Sequence, residues 1–210
     1  MTRLDGSLIR TDSHEVMAML KRIKIQVVLA ILLALSLASP PGAGARLIEG
    51  VYFTPRVTAS GVPMVLKGVG LKKLWQVVKV SVAALYLGEG VSPSTVLSNV
   101  PKRLEIEYFH AISAKDFIKL TEKLLKQNVD PSAISRLQPR LDRLNALYRD
   151  VQPGYRYALT YVPEEGTTLA LNGVDLGTIE GEDFAAAVFS MWLGQRPLSD
   201  SLKQELLGQA

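Results

Sequence analysis

Apolar and polar residues alternate in steps of two along Lys102–Phe109 and again along Tyr155–Tyr161, so both stretches predict strands. In the first, Leu104, Ile106 and Tyr108 face away from Glu105, Glu107 and Phe109. In the second, Tyr155, Tyr157, Leu159 and Tyr161 stand opposite Arg156, Ala158 and Thr160. Trp75–Leu87 is different, being β-branched, aromatic and nearly uninterrupted. Val78, Val80, Val82, Ala84 and Tyr86 would share one face, and Lys79, Ser81, Ala83, Leu85 and Leu87 the other. Both faces are apolar beyond Lys79, so this strand should be covered on both sides. The preceding Gly68-Val69-Gly70-Leu71-Lys72-Lys73 reads as a glycine-spaced turn.

Two hairpins are signalled by their turns. Ser60-Gly61-Val62-Pro63 separates Val57-Thr58-Ala59 from Met64-Val65-Leu66, and Asn172-Gly173 interrupts the run Thr168–Leu176. Elsewhere the spacing changes to threes and fours. Ser113-Ala114-Lys115-Asp116 opens a helix with a capping-box-like pattern, and Phe117, Leu120, Leu124 and Val129 supply its stripe. Asp130-Pro131 restarts it as N-cap and first helical residue, and Ile134, Leu137, Leu141, Leu144, Leu147 and Tyr148 recur beyond. Pro139 should kink or split that second helix. A third helix runs from Glu182-Asp183 through Phe184, Val188, Met191 and Trp192 to Gly194, and a last one spans about Ser199–Leu207. Strands, helices, strands and helices with antiparallel hairpins predict an α+β fold, one twisted sheet with helices packed on a face.

The N-terminus calls for a separate reading. Lys21, Arg22 and Lys24 precede an uncharged apolar run from Ile25 to Ala38, the length of a signal-peptide core rather than of a membrane span. Pro40, Pro41 and Gly42 break it, and Ala43-Gly44-Ala45 offers a cleavage site after Ala45. Residues 1–45 are therefore expected to be an N-terminal extension and cleaved signal, with Met19 as an alternative start to Met1. Residues 46–210 are expected to be a single exported, periplasmic domain, touching a membrane only through the signal before cleavage. An uncleaved N-terminal anchor is the alternative.

The chain has no cysteine, so export adds no disulfides and stability must come from the core. Residues 46–210 carry 19 basic and 17 acidic side chains, a net of +2, too small to argue for nucleic acid. His14 and His110 are the only histidines, which argues against a zinc site, and no cofactor is implied.

Taken together, Gly68-Val69-Gly70-Leu71-Lys72-Lys73, Lys79–Leu87, Phe117-Ile118-Lys119-Leu120, Asn172-Gly173 and Ala187–Gly194 followed by Pro197 and Leu202-Lys203 resemble the chalcone isomerase-like family, in its exported bacterial branch. The resemblance implies an open-faced β-sandwich: a large antiparallel sheet, a layer of helices and a cleft between them. It implies either intramolecular lyase chemistry, closing a chalcone to a flavanone, or fatty-acid binding in the same cleft without catalysis. Carried over residue by residue, the family arginine falls on Lys72, the strand threonine on Ser81, the tyrosine on Phe109 and a polar position of the C-terminal helix on Met191. Tyr108 replaces Phe109 only if the register slips by one, which would turn it to the other face. Lysine keeps the arginine's charge but loses its planar fork, and phenylalanine has no hydroxyl, so chalcone cyclisation is not expected.

Lys72 is either a solvated turn lysine or an anion anchor facing a pocket, with Lys73 pointing the other way. Lys79 and Trp192 are further candidates for the cleft wall. Ser81 reads as a strand hydroxyl rather than a nucleophile, since no nucleophile-elbow glycines flank it. His110 reads as a loop histidine before an acid/base group. The expected function is binding of a small apolar or fatty-acid-like ligand. An isomerase on an unknown substrate and a partner-binding domain with a closed cleft are the alternatives.

Overall fold

The computed structural model describes residues 46–209 apart from Gln76. The segment read as a signal lies outside the described residues. Among the described residues nine strands and four α-helices follow in order: β1 (Arg46–Ile48), β2 (Val51–Phe53), β3 (Arg56–Ala59), β4 (Val62–Leu74), β5 (Val78–Gly88), β6 (Lys102–Tyr108), α1 (Ala114–Asn128), α2 (Pro131–Leu147), β7 (Arg156–Val162), β8 (Gly166–Leu171), β9 (Val174–Ile179), α3 (Glu182–Leu193) and α4 (Asp200–Leu206). Strands β3 to β9 form one antiparallel sheet in sequential order, and β1–β2 make a separate two-stranded ribbon. The predicted α+β architecture is the one observed.

The two signalled hairpins owe their tightness to the backbone. Ser60 and Gly61 have φ of 50° and 75°, and Asn172 and Gly173 of 51° and 82°, the two left-handed residues that a twist-matched turn requires. Val62 and Pro63, read as part of the first turn, already belong to β4. The helices begin where their caps predict. The Ser113 hydroxyl accepts from the Asp116 amide, Asp130-Pro131 starts α2, Gly194 ends α3 and the Ser199 hydroxyl accepts from the Leu202 amide. Pro139 does not split α2, which runs unbroken to Leu147. Pro139 and Ser135 both lie on its exposed side, where water can satisfy the carbonyl that the proline deprives of a partner.

Gly68–Lys73 is the main departure. It is not a turn but the second half of β4, paired with β5 from Leu85 to Lys79, and the reversal falls later, at Trp75–Val77. The glycines serve packing instead. A Cβ on Gly68 would lie 2.0 Å from the Glu205 carbonyl oxygen, and one on Gly70 would lie 2.6 Å from Leu202 Cδ1, so bare backbone lets α4 sit directly on the strand. The Glu205 carboxylate then accepts from the Leu71 amide at 2.9 Å.

The sheet is covered on both faces, as the apolar pattern of β5 requires. Ala83, Leu85 and Leu87 join the main core beneath the helices, while Val82, Ala84 and Tyr86 pack with Val51, Phe53 and Met64 under the β1–β2 ribbon. Glu105 and Glu107 face the ribbon side and bind Arg156, whose guanidinium lies 4.6 Å from the Phe53 ring centre and donates to the Tyr52 carbonyl. That arginine clasps the ribbon to the sheet.

Lys102 is buried at the start of β6. Its ammonium donates to the Ser98 and Val100 carbonyls at 2.7 and 3.1 Å and lies 4.6 Å from the Tyr161 ring centre. Burial lowers its pKa from 10.5 to about 8. Between those values the unfolded chain holds more protons than the folded one, so stability rises with pH through this window. Below about pH 8 the penalty of burying the charge acts in full. Stability measured by denaturant unfolding should gain about 2 kcal/mol from this group between about pH 8 and about pH 10. Lys102→Met should remove that part of the rise.

Candidate functional site

Between the sheet and the helices lies a cavity of about 320 Å³. Its floor comes from β5, β6, β7 and β8, with Ala83, Leu104, Ile106, Leu159 and Leu169, and its roof from α1, α3 and α4, with Phe117, Leu124, Val188, Met191 and Leu202. Leu74, Asp116 and Leu120 are exposed and mark the mouth. Such a volume with apolar walls and few polar groups suits a small lipophilic molecule.

The polar groups are arranged by strand register. Lys72 on β4 pairs with Ser81 on β5, and Ser81 pairs with Tyr108 on β6, so the three stand in one row across the sheet. All three line the cavity. Directly opposed residues have Cβ atoms about 5 Å apart, so neighbouring members of the row can reach one small group. A bulge makes the row possible: Lys72 pairs with Ser81 but Lys73 with Lys79, leaving Val80 unpaired with β4. Val80 and Ser81 consequently both meet the cavity, against the strict alternation of an ideal strand.

The half-buried Lys72 ammonium approaches the Leu198 carbonyl at 3.5 Å, the limit of hydrogen bonding, and is in no ion pair among the described residues. Asp116 at the mouth accepts from the Ser113 hydroxyl at 2.7 Å and lies 3.8 Å from the Lys119 ammonium. At the far side of the row Tyr108, Phe117, Tyr148 and Tyr157 interlock, with ring centres 5.3 Å apart for Tyr108–Phe117 and 5.5 Å for Phe117–Tyr148. The Tyr148 hydroxyl bonds Thr121 at 2.9 Å, and that of Tyr157 donates to the Arg149 carbonyl and accepts from its amide. Among the described residues, the Ser81 and Tyr108 hydroxyls have no such partner and remain available to a ligand. Burial raises the Tyr108 phenol well above its usual value and Tyr148 to about 12, so both are neutral hydrogen-bond donors at ordinary pH.

The sequence matches the model of the chalcone isomerase-like family over residues 45–208. The chain belongs to the chalcone isomerase-like family. Among solved structures it is similar to a fatty-acid binding protein of Arabidopsis thaliana, at 14% identity and a TM-score of 0.61, covering 78% of this chain and 96% of that one. At that identity the likeness is one of fold. No curated protein matches the sequence.

Within this chalcone isomerase-like domain, Lys72, Ser81, Met191 and Trp192 come together at the cavity. Lys79, Phe109 and His110 do not. The bulge at Val80 turns Lys79 to the other side, where its ammonium binds Glu49 of the β1–β2 turn at 2.6 Å. Phe109 packs on the ribbon-side core, and the residue of that pair on the cavity is Tyr108. His110 is exposed, its Nε2 2.9 Å from the Lys79 carbonyl oxygen. The register of β6 thus sets Tyr108, not Phe109, beside Ser81. Thr121 and Tyr148 also line the cavity, although the pattern marked Tyr148 as helix stripe. No cluster of three or more potential metal ligands occurs among the described residues.

Proposed function

We propose that the protein is a non-catalytic binder of a small apolar ligand of the fatty-acid class. The observation that carries this reading is the single row of Lys72, Ser81 and Tyr108 along a cavity whose walls are mostly apolar. One cation and two neutral hydroxyl donors suit a carboxylate, and the hydrocarbon walls suit an acyl chain. The Arabidopsis relative, named for fatty-acid binding, supports this choice of ligand class. The open volume between sheet and helices favours a binder over a domain with a collapsed cleft. A lysine holds an anion as a point charge, without the bidentate grip of an arginine on a developing enolate, which favours binding over isomerase chemistry.

The test is a titration with a long-chain fatty acid and with its methyl ester. The acid should bind about tenfold or more tightly, the scale of one charge-assisted hydrogen bond. Equal affinities would refute a carboxylate site at Lys72.

Export to the periplasm, as in a bacterial branch of the family, is part of the same proposal. It rests on the basic, apolar and small-residue pattern of residues 21–45. N-terminal sequencing of protein recovered from a periplasmic extract should begin at Arg46. A chain that retains residues 21–45 would overturn cleavage.

A further inference from the structure

We propose that the tip of the β4–β5 hairpin is a membrane-docking element that holds the cavity mouth against an anionic lipid surface. This deepens the ligand-binding reading, on which it rests for the cargo that would pass. It also adds a membrane contact to the one expected of the N-terminal segment.

The tip is built against ordinary hairpin chemistry. Leu74, Trp75, Val77 and Val78 occupy the reversal and its flanks, and all are exposed, Trp75 by 81% and Val77 by 79%. Turns of this kind normally carry glycine, asparagine or aspartate. Trp75 instead adopts the left-handed region with φ of 49°, which is unfavourable for a bulky side chain. Strain held at an exposed aromatic residue points to a function for the residue rather than for the turn. Neither core needs the Trp75 side chain.

Charge and position identify the partner. Lys72 and Lys73 lie on one arm of the hairpin and Lys79 on the other. Tryptophan with aliphatic neighbours at an apex, backed by lysines, is the composition that settles at the interface of a bilayer bearing anionic headgroups. The acidic groups nearby are Glu49, engaged by Lys79, Asp116 at the cavity mouth and Glu205, whose carboxylate accepts from the Leu71 amide. Lys73 is exposed and in no ion pair among the described residues. The tip is also continuous with the cavity: Leu74 belongs to both, and Leu120 is exposed on the same rim. A surface that seats Trp75 and Val77 in lipid would bring this mouth to the headgroup layer. A fatty acid could then pass with its chain shielded and its carboxylate toward Lys72.

The experiment uses the full-length chain carrying Trp192→Phe, in which Trp75 is the remaining indole. Vesicles of equimolar phosphatidylcholine and phosphatidylglycerol with brominated acyl chains are added. Trp75 emission should shift to the blue and be quenched, and Lys73→Ser should weaken the titration about fivefold. Because an indole reports its own surroundings, lipid contact by the apolar run at residues 25–38 does not produce this signal. Ligand capture is read separately, by mass, so failure here is distinguishable from failure of the binding proposal.

Trp75→Asn, which suits the left-handed backbone, should unfold at a temperature no lower than the parent. It should slow fatty-acid transfer from these vesicles about tenfold, with binding of fatty acid from solution unchanged. Emission that stays at the exposed-indole position, unquenched at saturating vesicles, would overturn the proposal. So would a blue shift that develops with protein concentration in the absence of lipid, which would assign the tip to self-association.

Discussion

Gly68→Ala is expected to destabilise the protein by about 3 kcal/mol, at the upper end of the cost of overpacking. The added Cβ would fall 2.0 Å from the Glu205 carbonyl oxygen and 2.6 Å from that of Leu206, both main-chain atoms of α4. Backbone cannot rotate aside, so the whole helix must lift. Lifting it would withdraw Leu202 and Leu206 from the main core and break the hydrogen bond that the Leu71 amide donates to the Glu205 carboxylate. A thermal melt should show a fall of about 6–12 °C. Gly70→Ala provides an internal comparison, because its two nearest atoms, the Glu205 carboxylate at 2.5 Å and Leu202 Cδ1 at 2.6 Å, are side-chain ends that can yield, and the less mobile Glu205 Cβ stands farther off at 2.9 Å. It should lose about 1–2 kcal/mol. Equal and small effects at both positions would mean that α4 does not seat on β4 as described.

Lys72→Met should have its effect on binding rather than on folding. The methionine retains an unbranched stem, and among the described residues the hydrogen bond forfeited is the 3.5 Å approach to the Leu198 carbonyl. Fatty-acid affinity should fall by about 1.5–3 kcal/mol, or about 10- to 150-fold, while the methyl ester should bind much as before. Lys79→Met separates a specific anchor from a general attraction by positive charge. Lys79 is bound to Glu49 away from the cavity, so its removal should leave fatty-acid affinity within about twofold. Similar losses from the two substitutions would indicate diffuse electrostatics and remove the carboxylate site from the polar row.

Turns and caps were legible in the sequence because each is decided within a few residues. Ser60-Gly61 and Asn172-Gly173 carry their φ requirement in their composition, and Ser113 and Ser199 find the amides they cap three residues ahead. What was not legible depended on distant partners. Gly68 and Gly70 look like a turn until α4, more than 130 residues later, shows that the strand must be bare there. The bulge at Val80 arises from the pairing of β4 with β5, and no local pattern announces it. It nevertheless shapes the cavity, by bringing Val80 to its wall beside Ser81 and turning Lys79 away.

Tyr108 illustrates the same limit. The alternation of β6 placed it opposite Phe109, but which of the two faces meets the cavity is fixed by β5 on one side and β7 on the other. Met191 is legible as a candidate through the family resemblance, and Trp192 through the helix stripe that offers it as core or cleft wall. Asp116, Thr121 and Tyr148 gave no separate signal, since polar residues at a helix start and an aromatic in a helix stripe both have ordinary structural uses.

The most direct test of the central claim is native mass spectrometry of the protein secreted from a bacterial host, followed by denaturation and identification of whatever is released. The expected result is a fatty acid or kindred carboxylated amphiphile at a stoichiometry approaching one per chain, with the bound fraction sharply reduced in Lys72→Met. A protein that emerges empty, and stays empty when offered a panel of fatty acids, would contradict the account.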